Sequence, residues 1–320
     1  MRQSNYELLR ILCMMGILTG HVLIALYQDQ IHSADFSFEN QGRALLLNAC
    51  AVGMNCFVMI SGYFTIRLTK AKLIRFIGQC WWYGVIGFLI FGGSWWSVVF
   101  PISGSGLRFI NSYLALILVS PLINAGLCAL NSTDLKKAVA LLLLCDIYLG
   151  YEHQQLVISA DDHNLFHLIS IYCLGQLVAR EDWSLKHAGW WCIGCFFLMT
   201  VFHAIKMVWL PISAIYSLHF NSPLLVVATL LVFLWSKSLR INQSQFVNKV
   251  AASVFSVYLV HCNTSIAPHF WTLMEQIRNY YASPVMAALA LSLVTLLFFV
   301  GCVLADRVRI MVFDMIEQEL

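Results

Sequence analysis

The sequence predicts an all-α, polytopic integral membrane protein that crosses the bilayer about ten times. Of its 320 residues, 60% are hydrophobic and only 11% are charged, and the mean hydropathy is +0.77. Apolar runs close to twenty residues long recur along nearly the whole chain, and a helix of that length spans a hydrocarbon core of about 30 Å. We therefore predict one transmembrane domain over residues 1–320, with no appended soluble domain.

Ten apolar runs separated by polar or glycine-containing stretches are the predicted spans. The first run carries Arg10 and lacks a small-residue cleavage site, which indicates an uncleaved span rather than a signal peptide. The fifth and sixth runs are shorter than the others. The predicted spans cover residues 8–27, 44–66, 74–92, 109–130, 138–150, 167–179, 188–209, 222–236, 250–266 and 284–304.

The positions of the basic residues predict that both termini lie in the cytoplasm, because cytoplasmic loops are enriched in Lys and Arg. With a cytoplasmic N-terminus, fourteen of the nineteen Lys and Arg residues fall in loops on that side. The net charge of +3 is therefore a signal of topology and does not suggest a nucleic-acid partner. The predicted location is the inner (cytoplasmic) membrane, with the lipid bilayer as the surrounding solvent.

The eleven cysteines indicate neither a disulfide framework nor a metal site. Most of them lie inside apolar runs, where cysteine behaves as a small hydrophobe. Cys192 and Cys195 form a single CxxC motif within an apolar span, and no second pair completes a zinc site. We therefore expect no metal and no bound cofactor.

The first span contains two ionisable residues, Arg10 and His21. Eleven residues correspond to about three full helical turns, so both side chains project from one face, with a rise of roughly 16 Å between them. Because an ionisable group at membrane depth costs about 2.5–3.5 kcal/mol on insertion scales, it normally faces the bundle interior or a wet cavity.

Each of these two residues also has a structural interpretation. Arg10 could pair with Glu7, three residues earlier, and His21 could form a helix-end hydrogen bond to a neighbouring span. Together on one face they favour chemistry, because a neutral imidazole suits general-base work on a hydroxyl and a guanidinium suits an anionic donor.

The second span contains Ser61 and Gly62 near its end, and a basic run follows it. Small residues allow close helix approach, which is the favoured role here, with Ser61 kept as a weaker substrate-binding candidate. The basic run contains Arg67 and Arg75. These two residues primarily set the orientation of the chain across the membrane. They could also contact the phosphates of a cytoplasmic donor.

Four further candidates for substrate or donor binding lie later in the chain. Tyr113 is at the predicted outer mouth of the fourth span. Asp146 lies within the fifth apolar run, where a paired structural acid and a cavity group are equally open, and Glu152 follows at its outer end. His261 ends the ninth run, where a structural hydrogen bond is the alternative to a role in the site.

Four segments together resemble the membrane acyltransferase family 3. The segment NYELLRILCMMGILTGH is similar to the first helix of the family, in which ten residues separate an arginine and a histidine. The other three are NCFVMISGYF, SYLALILVSPLIN and SVFSVYLVH, and all four keep the family's order along the chain. The opening of the first segment further resembles the branch found with surface-polysaccharide biosynthesis.

This resemblance implies an O-acyltransferase, an enzyme that transfers groups other than aminoacyl groups. It implies acetyl-CoA or another acyl-CoA as co-substrate and, as acceptor, a lipid-linked or nascent glycan of an O-antigen, capsule or exopolysaccharide. It also implies that His21 is essential to acyl transfer, as base or as acyl carrier, and that Arg10 supports donor binding or positions the site. Gly20, Cys13 and Met14 depart from the family's common residues, which leaves the acceptor open.

Two other functions remain open on the sequence. A polysaccharide or solute transporter would use the same intramembrane charges for passage, without acyl-transfer chemistry. A membrane-bound O-acyltransferase of the lipid-modifying type would also use an intramembrane histidine, but its pattern lacks the spacing of Arg10 and His21.

Overall fold

A computed structural model describes residues 3–33, 36–102, 107–148, 164–209 and 219–319, and within these ranges the chain is helical, with no strand. The helices in chain order are α1 (Ser4–Ile31), α2 (Phe38–Tyr63), α3 (Lys70–Phe91), α4 (Trp96–Val99), α5 (Arg108–Ala129), α6 (Ser132–Asp146), α7 (Leu165–Arg180), α8 (Ala188–Trp209), α9 (Pro223–Ser238), α10 (Gln245–Ser253), α11 (Phe255–His261), α12 (Ala267–Tyr280) and α13 (Pro284–Glu319).

The all-α prediction is confirmed for these residues, and each of the ten predicted spans overlaps a helix. The ninth span is divided into α10 and α11. Six helices, α1, α2, α3, α5, α8 and α13, are long and apolar enough to cross a membrane, and α7 and α9 are shorter apolar helices. The count of ten spans and the cytoplasmic position of both termini stay predictions.

Polar side chains at the helix starts explain why many of these helices begin where they do. A side-chain oxygen at the N-cap accepts a hydrogen bond from a backbone N–H of the first turn, which would otherwise lack a partner. Such caps begin α2, α3, α6, α7, α9 and α10, and their residues are Ser37, Thr69, Asn131, Asn164, Ser222 and Ser244.

The helices group into two compact units. Unit 1 comprises Met1–Leu26, Thr69–Asn111 and Gln243–Leu320, and unit 2 comprises Tyr27–Leu68 and Ser112–Asn242. In unit 1, α11 packs against α3, α10, α12 and α13. In unit 2, α2 packs against α7, α8 and α9, and α6 packs against α7.

Unit 1 contains a buried charge cluster that joins α3 to α13. The carboxylate of Asp306 accepts hydrogen bonds from the hydroxyl of Tyr83 at 2.8 Å and from Nε and Nη2 of Arg309 at 2.7 and 3.0 Å. A buried ion pair is tolerated when its geometry is good and further hydrogen bonds support it, and here Tyr83 donates one to the carboxylate. This cluster fixes α3 and α13, the two helices that flank α11.

Unit 2 depends on the close approach of α2 and α7 at two glycines. A Cβ atom added to Gly62 would lie 2.1 Å from the carbonyl oxygen of Tyr172, and one added to Gly175 would lie 2.3 Å from that of Met59. Only a residue without a side chain fits at such distances. The close-packing interpretation of Gly62 is therefore confirmed.

Candidate active site

Helix α1 carries both residues of the predicted pair. It runs without interruption from Ser4 to Ile31, so Arg10 and His21 keep the helical spacing that the sequence predicts. Both side chains are half-buried. The pair therefore lies on a single rigid element of unit 1.

The histidine of α1 meets the histidine that ends α11. Nδ1 of His21 lies 2.9 Å from Nε2 of His261, and their ring centroids are 5.1 Å apart. On its other side, Nδ1 of His261 donates to the carbonyl oxygen of Val257 at 2.6 Å, one helical turn earlier. The structure thus brings together two predicted site residues that are 240 positions apart in the chain.

This chain of hydrogen bonds selects the tautomer of both neutral rings. The carbonyl of Val257 can only accept, so His261 carries its proton on Nδ1 and presents the lone pair of Nε2 to His21. His21 must then donate from Nδ1. Its own lone pair therefore lies on Nε2, the atom that a general base uses.

The surroundings of the two rings differ. The ring of His261 is fully buried, and the rings of Tyr258 and Trp271 meet it edge-on at centroid distances of 5.8 and 6.4 Å. His21 is only half-buried. His261 is therefore held in place by packing, whereas His21 is the member of the pair that a ligand can reach.

Arg10 pairs with Glu7, as the sequence predicts. Its Nη1 atom lies 3.4 Å from both carboxylate oxygens of Glu7, and 32% of the Arg10 side chain is exposed. At this distance the ion pair is weaker than a close bidentate one. The guanidinium has five N–H donors, so it can contact an anionic ligand without giving up Glu7.

The basic candidates Arg67 and Arg75 are both exposed. Arg75 lies 3.5 Å from the carboxylate of Asp314 within unit 1. Arg67 belongs to unit 2, in the segment that follows α2. The adjacent Ile66 is held there by hydrogen bonds, since its N–H donates to the hydroxyl of Tyr172 at 3.0 Å and its carbonyl accepts from Asn124 at 3.0 Å.

Two further candidates meet in unit 2. The hydroxyls of Ser61 and Tyr113 lie 2.9 Å apart, and Ser61 also donates to the carbonyl oxygen of Phe57 at 2.9 Å. This arrangement joins α2 to α5. It contains no base positioned against Ser61 among the described residues, so the contacts do not favour Ser61 as a nucleophile.

Asp146 is fully buried and is paired with a histidine that the sequence analysis did not select. Its carboxylate accepts from Nδ1 of His167 at 2.7 Å, and Nε2 of His167 lies 2.9 Å from the amide oxygen of Asn55. Nδ2 of Asn55 donates to the carbonyl of Phe220 at 2.8 Å, which fixes the amide with its oxygen towards the ring. These contacts favour the paired structural acid over a cavity group.

Sequence reasoning missed His167 and Cys262. His261 was selected because it is an ionisable residue at one end of an apolar run. His167 has the same feature, since it begins the sixth predicted span. Cys262 directly follows His261, and its sulfur lies 3.9 Å from Nδ1 of His21. No spacing in the sequence could have indicated that contact. Glu152 lies outside the described residues.

Comparison with known protein families identifies a match over most of the chain. A family model described as an acyltransferase domain matches residues 3–307, which is nearly the whole chain. No curated protein and no solved structure matches the chain.

Proposed function

Because the chain belongs to acyltransferase family 3, we propose that this membrane acyltransferase is an O-acyltransferase in which His21 activates the acceptor hydroxyl. The proposed donor is cytoplasmic acetyl-CoA. The proposed acceptor is a hydroxyl of a lipid-linked or growing surface polysaccharide outside the cytoplasm, and the proposed location is the inner membrane.

The hydrogen bond between His21 and His261 is the observation that carries this proposal. It leaves the lone pair of neutral His21 on Nε2, on the half-buried ring of the pair. A positioned general base contributes about 10²–10⁴-fold to a reaction rate. Removal of this group should therefore remove most of the activity.

In the proposed reaction the acceptor O–H donates to Nε2 of His21 while the oxygen attacks the thioester carbonyl. The proton passes to Nε2, and a tetrahedral adduct forms. When the C–S bond breaks, the CoA sulfur leaves with the bonding electron pair and receives the proton from the His21 imidazolium. The products are the acetylated hydroxyl and CoA thiol, so atoms and charge balance.

In this scheme His261 acts as a positioning residue. Its Nε2 atom accepts from Nδ1–H of His21 both before and after Nε2 of His21 gains a proton. The ring of His21 is thus held in one orientation. When it becomes positively charged, its Nδ1–H still donates to the lone pair on Nε2 of His261. The full burial of His261 holds the accepting Nε2 atom in place.

Arg10 is the proposed contact for the donor. Its guanidinium suits the phosphates of CoA, because phosphate oxygens accept bidentate hydrogen bonds from the planar fork. Arg10 lies about three helical turns from His21, at the cytoplasmic end of α1 in the predicted topology. This spacing would separate the donor from the acceptor along one helix face.

The deciding experiment compares purified parent protein with His21→Ala in lipid nanodiscs, using acetyl-labelled acetyl-CoA and the isolated glycan. We expect label in the glycan and release of CoA thiol from the parent, and neither from the variant. Circular dichroism and thermal unfolding serve as the control for folding. Unchanged O-acetyl NMR signals in the glycan of cells carrying only His21→Ala would overturn the assignment.

The same assay separates the remaining alternatives. A transporter would move the glycan without labelling it. If His21 were an acyl carrier, the parent incubated with labelled donor and no acceptor would retain label on the protein, at an imidazole detectable by mass spectrometry. General-base catalysis predicts no labelled protein under those conditions.

The donor-binding role of Arg10 has a separate test. Arg10→Ala should raise KM for acetyl-CoA, and Arg10→Lys should raise it less. With S-acetyl-pantetheine, which lacks the phosphates, parent and variant should show equal activity. An equal loss on both donors would contradict phosphate binding by Arg10.

A further inference from the structure

We infer that His21, His261 and Cys262 form a binding site for Zn²⁺, and that the bound ion blocks acyl transfer. The three ligand atoms, Nδ1, Nε2 and Sγ, all lie within 4.8 Å of one another. The inhibition rests on the function proposed above, whereas the binding of the ion does not.

The distances between the three atoms fit one ion. Nδ1 of His21 is 2.9 Å from Nε2 of His261 and 3.9 Å from Sγ of Cys262. Zinc binds nitrogen at about 2.0–2.1 Å and thiolate sulfur at about 2.3 Å, so tetrahedral ligation places two nitrogens about 3.3 Å apart and nitrogen and sulfur about 3.6 Å apart. Both separations from Nδ1 of His21 therefore lie within about 0.4 Å of these values. Sγ of Cys262 lies within 4.8 Å of Nε2 of His261, and rotation of the Cys262 side chain would bring it to the ligating distance.

One ligand is already oriented by its hydrogen bond. Histidines that bind metal usually donate their second ring N–H to a carbonyl or carboxylate, which fixes the tautomer and the ring plane. His261 has this arrangement, since Nδ1 donates to the carbonyl of Val257 at 2.6 Å and Nε2 faces the other two ligand atoms. Cys262 follows at the C-cap of α11, so one short helix positions two of the three ligands.

The ligand types select the ion. Two imidazoles and a thiolate suit a borderline-soft ion such as Zn²⁺, whereas Mg²⁺ and Ca²⁺ require oxygen ligands. Three protein ligands leave a fourth position for water. His21 and Cys262 are half-buried, so a hydrated ion can reach the site from their exposed side.

Metal binding and catalysis require different forms of His21. Cys262 binds as the thiolate and gives its proton to solvent. Nδ1 of His21 must present a lone pair to the ion, so the ring proton moves from Nδ1 to Nε2. Nε2 then donates and can no longer accept the proton of a hydroxyl. The ion therefore holds His21 in the tautomer that cannot act as the base.

The sequence predicted no metal site, because only the fold brings these ligands together. The single CxxC motif drew attention instead, but Cys192 and Cys195 are free thiols in unit 2, and they belong to no cluster of metal-ligating side chains in the described part of the chain. Cys192 therefore provides a matched control for Cys262.

The binding test titrates Co²⁺, a spectroscopic substitute for Zn²⁺, into purified protein. The parent and Cys192→Ser should give a thiolate-to-cobalt charge-transfer band, and Cys262→Ser should not. Zn²⁺ should also raise the Tm of the unmodified parent, whereas Mg²⁺ should not, because an ion that binds the folded state stabilises it. A band that persists in Cys262→Ser, or no band in the parent, would overturn the site.

The inhibition test measures acyl transfer against free Zn²⁺ concentration. The parent and Cys192→Ser should lose activity, and EDTA should restore it. Measured relative to its own rate without Zn²⁺, Cys262→Ser should require at least about tenfold more Zn²⁺ for half-inhibition, since loss of a ligand costs no less than loss of its supporting contacts. Equal sensitivity of the two variants would contradict the proposal. A cobalt band that depends on Cys262 in a protein without transferase activity would instead refute the proposed function alone.

Discussion

Two hydrogen-bonded histidines, the half-buried His21 and the buried His167, have opposite surroundings. In unit 1 the ring of His21 meets another imidazole, His261, which is itself bonded to a backbone carbonyl. In unit 2 both nitrogens of His167 face acceptors, the carboxylate of Asp146 and the amide oxygen of Asn55. The first arrangement suits a neutral ring with a lone pair on Nε2. The second suits an imidazolium that donates from both nitrogens.

The contrast shows that partners, rather than residue type, decide what a histidine can do. His167 and Asp146 are buried and bonded to each other, and both ring nitrogens of His167 face acceptors. The pair therefore stabilises unit 2, and the imidazole of His167 presents no lone pair for chemistry. His21 is half-buried and keeps a basic nitrogen. We therefore expect changes in the pair of His167 and Asp146 to alter stability. Changes in the pair of His21 and His261 should alter the reaction rate.

The largest effect is expected from Asp146→Ala. It leaves His167 buried with an unpaired charge or an unmatched donor, and breaking a buried pair from one side costs about 3–5 kcal/mol. Thermal unfolding of the purified protein should show a strongly lowered Tm, whereas His21→Ala should unfold near the parent Tm.

A double substitution sharpens this prediction. Replacing Asp146 and His167 together by leucine removes both buried polar groups. The double variant should therefore be less destabilised than the sum of the losses in Asp146→Leu and His167→Leu. Additive losses would show that the two side chains do not act as a pair.

Gly62→Ala tests whether unit 2 depends on close helix packing as well as on its polar pair. The added Cβ would lie 2.1 Å from a backbone oxygen of α7, so we expect a loss of about 1–3 kcal/mol in stability, measured as a lower Tm. Gly126→Ala in α5 is the control, because a Cβ there meets nothing within 4 Å. Equal Tm values for the two variants would contradict the packing role.

His261→Leu should act on rate in unit 1. His21 loses the acceptor of its Nδ1 proton, and a hydrogen bond worth about 1–1.5 kcal/mol corresponds to about a tenfold lower kcat. His261→Gln, whose amide oxygen can accept from Nδ1, should recover part of kcat. KM for acetyl-CoA should stay the same in both variants. An equal loss of kcat in His261→Leu and His261→Gln would indicate that His261 has a packing role alone.

Glu181→Gln is expected to have the smallest effect on stability. Glu181 lies at the opposite end of the α6–α7 pair from Asp146. Hydrogen bonds from Lys136 at 2.5 Å and Ser132 at 2.6 Å lower the pKa of Glu181 below its usual 4.5. A lowered carboxyl pKa stabilises the folded state above the unfolded value. The small Tm difference from the parent should therefore be fully present above pH 4.5 and disappear as the pH falls through the folded-state pKa.

Much of the fold could be predicted because hydropathy and helix geometry are local properties. Every predicted span overlaps a helix, and the ion pair of Arg10 with Glu7 follows from a separation of three residues. The division of the ninth span into α10 and α11 was not predicted, since the apolar run continues through Ser253 and Phe255. The break makes α11 a short helix. It ends at His261, and Cys262 is its C-cap residue.

The sequence by itself determined the all-helical class and the placement of Arg10 and His21 on one helix, because both depend on periodicity within a short segment. Only the tertiary structure decided which partner each ionisable group has. His21 meets His261 across 240 residues, and Asp146 at the end of α6 meets His167 in the first turn of α7. Partners fix tautomer, charge and access to a lone pair, so the chemistry of the site depends on packing between helices and not on the composition of any one of them.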